Sequence, residues 1–526
     1  MSVSVSYPGI YIQELPLSAH TITPAPTSIA AFVGYTHPLL TQAFNTAVRL
    51  FSFTDYETRF GGLYTSGLVD ANVARAVYQF FLNGGSDAYV VGLQPKLLDA
   101  SGGALGTLGG PTGLNFTAAI ASQPAGNGMV FTALEPADRV AMKVSVSNLR
   151  ASSPIPGSPL NTFDVIVTYG ARIETFRGVV IGGDPNLAPD KKINGASTLV
   201  SVAPPSGNGF GTSLTANASA AFAITLPAGF ATTFSPQDFV DVFEANTSLD
   251  KVEIFNLLMV PGVADNLVVS AALSFAERKR AFAILDPPQT APADGAGSID
   301  TLMTTFPKSQ NGALYFPYLL STDPVTATTI AEPPSGFVAG VYAATDASRG
   351  VWKAPAGLAT TVLNTVGPLS TGLMNDPRQG VLNLASINCL RSFVGIGTVV
   401  WGARTLVADN DAFAQSKYVP VRRMTLFLEQ TLLANLRWVV FEPNDEPLWL
   451  AIRSSIEAFL LGLFNQGALQ GSKPSDAFQV KCDATTTTPA DQQNGIVNIV
   501  VAFAPLKPAE FVIIKIAQLA GQTAAS

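Results

Sequence analysis

The stretch Asp70–Gly92, DANVARAVYQFFLNGGSDAYVVG, holds a helix, its stop signal and the strand that follows. Val73, Ala76, Val77, Phe80 and Phe81 recur at the three- and four-residue spacing of one helix face. Asn83-Gly84-Gly85 then supplies residues that reach left-handed backbone angles, where helices stop. Asp87–Gly92 (DAYVVG) reads as a strand. Upstream, Thr27–Gly34 (TSIAAFVG) is a short apolar run ending in glycine, the pattern of a buried strand. Strand, helix and strand with short joints predict an α/β core.

Working outward, residues from about Ala100 to Pro236 change character. Gly, Ala, Ser, Thr and Pro dominate, charges thin out, and β-rich pieces such as Phe163–Tyr169 and Thr198–Val202 stand between turn signals. This predicts an inserted β-rich domain. The α/β pattern then resumes, with a helix opened by Ser235-Pro236, a strand over Val252–Met259, a helix over Asp265–Arg280 and strands at Ala281–Leu285 and Leu314–Leu319. Two long helices are predicted near the end, Val421–Leu436 and Pro447–Phe464. The second has Asn444 or Asp445 as cap and Pro447 in its first turn. Strand-like segments follow at Ala477–Cys482, Ile496–Phe503 and Glu510–Ile516. At the other end, Ser2–Leu15 alternates weakly and is bounded by Pro16, Pro24 and Pro26, which predicts an extended arm.

The 526-residue chain is 47% hydrophobic and only 13% charged, so much of its surface is expected to be covered, by copies of itself. The apolar runs give no membrane span: Ile254–Phe275 is broken by Pro261 and Asp265, and Ile496–Ala504 is too short. A net charge of −7 with no Lys/Arg run argues against nucleic acid as a partner. Met1–Gly9 lacks the features of a signal peptide, and two cysteines, Cys389 and Cys482, make no disulfide framework.

No catalytic constellation emerges. The chain has two histidines, His20 and His37, both read as loop residues outside any recognisable motif. Gly467–Lys473 (GALQGSK) misses phosphate-loop spacing, and Gly395-Ile396-Gly397 is a lone G-x-G, read as part of a strand. No cofactor or metal site is expected.

Several short blocks in one order carry a different message. They are Tyr7–Glu14 (YPGIYIQE), Phe80–Val91 (FFLNGGSDAYVV), Ala281–Pro288 (AFAILDPP), Gly340–Arg349 (GVYAATDASR), Gly350–Gly357 (GVWKAPAG), Val400–Arg404 (VWGAR), Phe441–Asp445 (FEPND) and Pro508–Val512 (PAEFV). In this order the chain resembles the contractile tail sheath family of phage tails and phage-tail-like injection systems. The resemblance covers both ends of the chain and spares the inserted region.

It implies a mixed α/β (α+β) sheath core built from both chain ends, with the β-rich insert and extended N- and C-terminal arms. The expected division is an arm at 1–26, core at 27–99, insert at 100–235, an α/β sheath domain at 236–360, a C-terminal tube-facing domain at 361–504 and an arm at 505–526. The implied function is a structural, non-enzymatic subunit that assembles in the bacterial cytoplasm as stacked six-fold discs. It would polymerise helically around an inner tube protein, between baseplate and terminator or cap proteins, and contract. The arms would add strands to neighbouring subunits. Val3, Val5, Tyr7, Ile10 and Ile12 would do so from the N-terminal arm, and Phe511, Val512, Ile513, Ile514 and Ile516 from the C-terminal one. Val497, Ile499, Val501 and Phe503 would form the accepting sheet. Tube contact is expected to be electrostatic. Between Arg391 and Leu460, however, seven basic residues balance seven acidic ones, and Arg422 and Arg423 are the tube-facing candidates. The alternatives are another polymeric tail or shell protein, or a cytosolic α/β enzyme with an inserted β domain.

Overall fold

The computed structural model describes residues 20–65, 69–94, 96–98, 104–107, 116–150, 162–224, 231–232 and 234–516. The chain forms two units. The larger comprises Ser28–Ala344 and Ala356–Asp409, and the smaller Met1–Thr27, Thr345–Pro355 and Asn410–Ser526.

The larger unit is organised by an eight-stranded sheet. Its order is Ala47–Leu50, Ala88–Leu93, Ala30–Tyr35, Leu257–Met259, Phe282–Leu285, Gly312–Phe316, Ile387–Phe393 and Gly397–Val400. The six inner strands run parallel, and the two edge strands pair antiparallel. Every residue of Ala30–Tyr35 is buried, which explains why its sequence is a continuous apolar run. Ala31 and Val33 join a core with Ala272 and Phe275 of helix Asn266–Lys279. Phe32 points to the other face, against Phe80 of helix Asn72–Leu82, with ring centroids 5.6 Å apart.

The predicted α/β core is therefore present, with several elements shifted. The expected strand Val252–Met259 shrinks to Leu257–Met259. Leu314–Leu319 divides into Gly312–Phe316 and Leu319–Thr322, which belong to different sheets. Gly395-Ile396-Gly397 is mainly a turn: Ile396 N–H donates to the Phe393 carbonyl at 3.1 Å and joins two antiparallel strands. The block Gly340–Arg349 lies inside helix Ser335–Arg349.

The first turns of that helix lie unusually close to Asn72–Leu82. A Cβ on Gly336 would come within 2.5 Å of the Ala76 backbone, and one on Gly340 within 2.5 Å of Asn83 Cβ and 2.8 Å of the Phe80 carbonyl oxygen. Two glycines four apart fall on one helix face, so the backbones approach where any side chain would collide.

Between Ala88–Leu93 and Pro236–Val242 the described chain is β-rich. Arg172–Val180, Thr162–Tyr169, Met142–Arg150 and Ala218–Ala221 form one antiparallel sheet. Val200–Ala203, Gly128–Ala133, Phe116–Ala121 and Ala223–Ile224 form another. Alternate residues such as Val144, Val165 and Phe131 share a single core. His37 ties this region to the main sheet. Its Nδ1 accepts the backbone N–H groups of Leu39 and Leu40, leaving Nε2 to donate to Asp138 Oδ1 at 3.0 Å. This buried loop histidine is a structural tie.

Asp286, after strand Phe282–Leu285, is buried and accepts three hydrogen bonds. They come from Gly262 N–H at 2.9 Å, Ser335 N–H at 2.8 Å and the Ser335 hydroxyl at 2.6 Å. Burial outweighs them and pushes its carboxyl up to about 6.

In the smaller unit, helix Val419–Asn435 and helix Glu446–Asn465 pack around Ile22, Val351, Phe427, Ile452, Ile456 and Leu460. Asp445 caps the second helix by accepting Leu448 N–H. Among the described residues this is one helix long and apolar enough to cross a membrane. Here Leu448, Ile452, Ile456, Leu460 and Leu463 form a buried face, and Glu457 is exposed.

Two expectations follow for the larger unit. Gly340→Val should cost about 1–3 kcal/mol or more through overpacking, measured by denaturant unfolding. For Asp286 burial holds the folded-state carboxyl above its ordinary value of 3.8. Its contribution to stability is therefore full below about pH 4 and lost as pH rises through about 6. Asp286→Asn should remove that fall, seen by comparing the two stability–pH curves.

Candidate assembly surface

The smaller unit ends in a two-stranded antiparallel sheet. Phe478–Lys481 pairs with Val500–Phe503, with Phe478 opposite Phe503 and Lys481 opposite Val500. The predicted strand Ile496–Phe503 is thus shortened at its start. Val497, Ile499, Val501 and Phe503 all pack against the core of the unit, which anchors the sheet from one side. No other described strand pairs with either member, so each keeps an outer edge of backbone N–H and C=O groups.

Beyond this sheet the described residues form no strand, contrary to the expectation for Glu510–Ile516. Glu510 is held by the Tyr418 hydroxyl, which donates to its Oε2 at 3.0 Å. Phe511, Val512, Ile513, Ile514 and Ile516 are then exposed by 73–92%. Both odd and even positions are apolar, so neither face of an extended FVIIKI segment prefers water. Such a segment suits an inner strand covered on both faces. Val3, Val5, Tyr7, Ile10 and Ile12 lie outside the described residues.

The two arginines proposed for the tube separate. Arg423 is buried. Its Nη1 and Nη2 donate to Asp346 Oδ1 and Oδ2 at 2.8 and 2.6 Å, and Nη2 also donates to the Thr27 carbonyl at 2.9 Å. Both side chains are 3% exposed, so Arg423 presents no cation to a partner in this structure. Arg422 is 14% exposed and lies 3.8 Å from Glu429 on the same helix.

A further feature lies within the block FEPND. Val439–Glu442 forms a tight turn, with Glu442 N–H donating to the Val439 carbonyl at 3.2 Å. Val440 has φ −71° and ψ 127°, and Phe441 has φ +73°, the pattern of a type II turn. The third position of such turns normally takes Gly or Asn, because a Cβ is strained there. Here it holds a phenylalanine that is fully exposed. The cost is about 1–3 kcal/mol, with no compensating packing inside the subunit.

Other chemistry is closed. His20 stacks on Trp438 with centroids 3.9 Å apart. Cys389 is buried and its thiol is pushed up to about 12. Among the described residues no His, Cys, Asp and Glu group could hold a metal ion.

Comparison with known proteins gives one answer. The family model for the phage tail sheath protein central domain matches residues 238–406, and that for the phage tail sheath C-terminal domain matches 411–518. A prophage major tail sheath protein of Pseudomonas aeruginosa (strain UCBPP-PA14) is 28% identical over 261 residues, 48% of this chain. The chain spans 62% of that relative's length. Among solved structures, the sheath complex of the extracellular contractile injection system PVC, in its contracted state, has a TM-score of 0.58 at 22% identity, covering 98% of this chain and 99% of that one. The contracted helical sheath of the anti-feeding prophage has a TM-score of 0.56 at 24% identity, covering 98% and 100%. At these identities the structural likeness speaks for the fold.

Removing one partner of the buried ion pair strands the other charge away from water. Arg423→Ala should therefore cost about 3–5 kcal/mol in urea unfolding of the smaller unit.

Proposed function

Because the chain belongs to the phage tail sheath family, we propose that it is a structural subunit of a contractile sheath. Its copies polymerise helically around an inner tube, and the cylinder shortens to drive that tube through a target envelope. The partners are other copies, the tube protein, and baseplate and terminator proteins at the ends. The particle is a phage tail or a phage-tail-like injection system. The chemistry is structural, and contraction draws on new subunit contacts, with no nucleotide involved.

The observation that carries this reading is the pairing of two complementary features in one unit. One is an exposed segment, Phe511–Ile516, apolar at five of six positions; the other is a small sheet with open edges. A strand from one copy added to the sheet of another satisfies both. Main-chain hydrogen bonds then supply cohesion with little dependence on side chains. Burying five large apolar side chains, at about 1.5–3 kcal/mol each, contributes more than a typical single interface contact. The N-terminal stretch containing Val3, Val5, Tyr7, Ile10 and Ile12 plays the same linking part.

The full chain should form ribbed hollow cylinders by negative-stain electron microscopy. Variants lacking Met1–Leu15 or residues 511–526 should remain as discrete particles. Discrete particles from the full chain as well would count against self-assembly, and cylinders from a shortened chain would remove that arm as a linker.

A further inference from the structure

We propose that the hydrogen bond from Tyr418 to Glu510 is a latch that holds segment Phe511–Ile516 off its own sheet and so reserves both for other copies of this chain. The inference rests on the sheath reading above and names the residues that keep strand exchange between subunits.

The difficulty they meet is proximity. Seven residues separate Phe511 from Phe503, the last residue of strand Val500–Phe503, enough for a chain to turn back and pair with the strand it has just left. A flexible connector of that length would hold the segment at an effective concentration of about a millimolar beside the open edge of its own sheet. At micromolar protein such self-pairing would outcompete a second copy. Both linking surfaces would then be closed inside one subunit.

The connector is held at both ends. Ala504 donates its N–H to the Ala477 carbonyl at 2.8 Å and accepts Gln470 N–H at 2.9 Å, and Pro505 forms a bridge with Leu469. The chain therefore runs straight on from the sheet. Pro505 and Pro508 have fixed φ angles, and Pro508 keeps Lys507 extended. At the far end the Tyr418 hydroxyl donates to Glu510 Oε2 at 3.0 Å, a hydrogen bond strengthened by the acceptor's charge. Tyr418 is the N-cap residue of helix Val419–Asn435, so the anchor belongs to a regular element of the unit. The Lys417 ammonium lies 5.5 Å from the centre of its ring. Glu510 is half-buried, and every residue from Phe511 to Ile516 is exposed, so the chain leaves the surface at the latch. With the latch closed, neither Phe478–Lys481 nor Val500–Phe503 pairs with the segment. Within the block PAEFV, Pro508 stiffens the connector, Glu510 fastens it, and Phe511 and Val512 begin the link.

Three full-length chains separate these roles: the parent, Tyr418→Phe, which lacks only the hydroxyl, and Glu510→Gln, whose side-chain carbonyl still accepts. Hydrogen exchange is read on unassembled chain, below the concentration at which cylinders form. Residues 511–516 should exchange without protection in the parent and in Glu510→Gln. In Tyr418→Phe they should slow about ten-fold or more, because folding back pairs their N–H groups. The critical concentration for assembly should rise about ten-fold or more in Tyr418→Phe alone, with no fall in unfolding temperature. Protection in the parent, or none in Tyr418→Phe, overturns the latch. Protection without a rise in critical concentration also overturns it, since self-pairing would not then compete with assembly. A parent chain that forms no cylinders at any concentration counts against the sheath reading, and the exchange comparison still decides the latch.

Discussion

The smaller unit depends on one buried ion pair. Thr27, Asp346 and Arg423 belong to three stretches of chain separated by hundreds of residues or by a whole helix, and a single guanidinium bonds to the other two. The apolar contacts around it follow the same division, with Ile22, Val351 and Ile452 each contributed by a different stretch. Hydrophobic burial alone would accept many ways of stacking these pieces. A planar fork matched to a carboxylate accepts few, because a shifted pairing leaves a charge unpaired in a dry interior. We read the pair as setting the register of the unit more than as adding to its stability.

In the larger unit the same logic closes the place where open α/β sheets usually bind ligands. The chain leaves Ala30–Tyr35 toward Ala88–Leu93 on one side and Leu257–Met259 on the other, so the topological switch lies between Ala30–Tyr35 and Leu257–Met259. At the end of Leu257–Met259, Gly262 is crowded by the Asn72 side chain and its N–H is taken by Asp286. Asp286 in turn holds Ser335, the first residue of helix Ser335–Arg349. Gly262, Asp286 and Ser335 thus tie the strand ends at this crevice to helix Ser335–Arg349.

Periodicity made the helices legible. Val73, Val77 and Phe80 mark one buried face, and Leu448, Ile452, Ile456 and Leu460 another, because helix faces are set by spacing alone. Strand limits were less legible: Val252, Ile254, Ile496 and Val497 are β-branched, but pairing partners decide where a ladder ends. The neighbours Arg422 and Arg423 show a stricter limit. They differ by about 100° around one helix, and only the position of Asp346 decides which is buried. Phe441 was hidden for a related reason. Pro443, Asn444 and Asp445 announce a turn, but the residue forced to positive φ is one that no turn preference would select.

A polymer held by strand exchange draws its cohesion from the backbone, and the exposed segment at the end of the smaller unit fits that need. A strand such as Phe511–Ile516, apolar on both faces and bonded through its backbone, costs far more to withdraw than a single side chain. In the assembly proposed here it is the link that survives rotation of one subunit against the next.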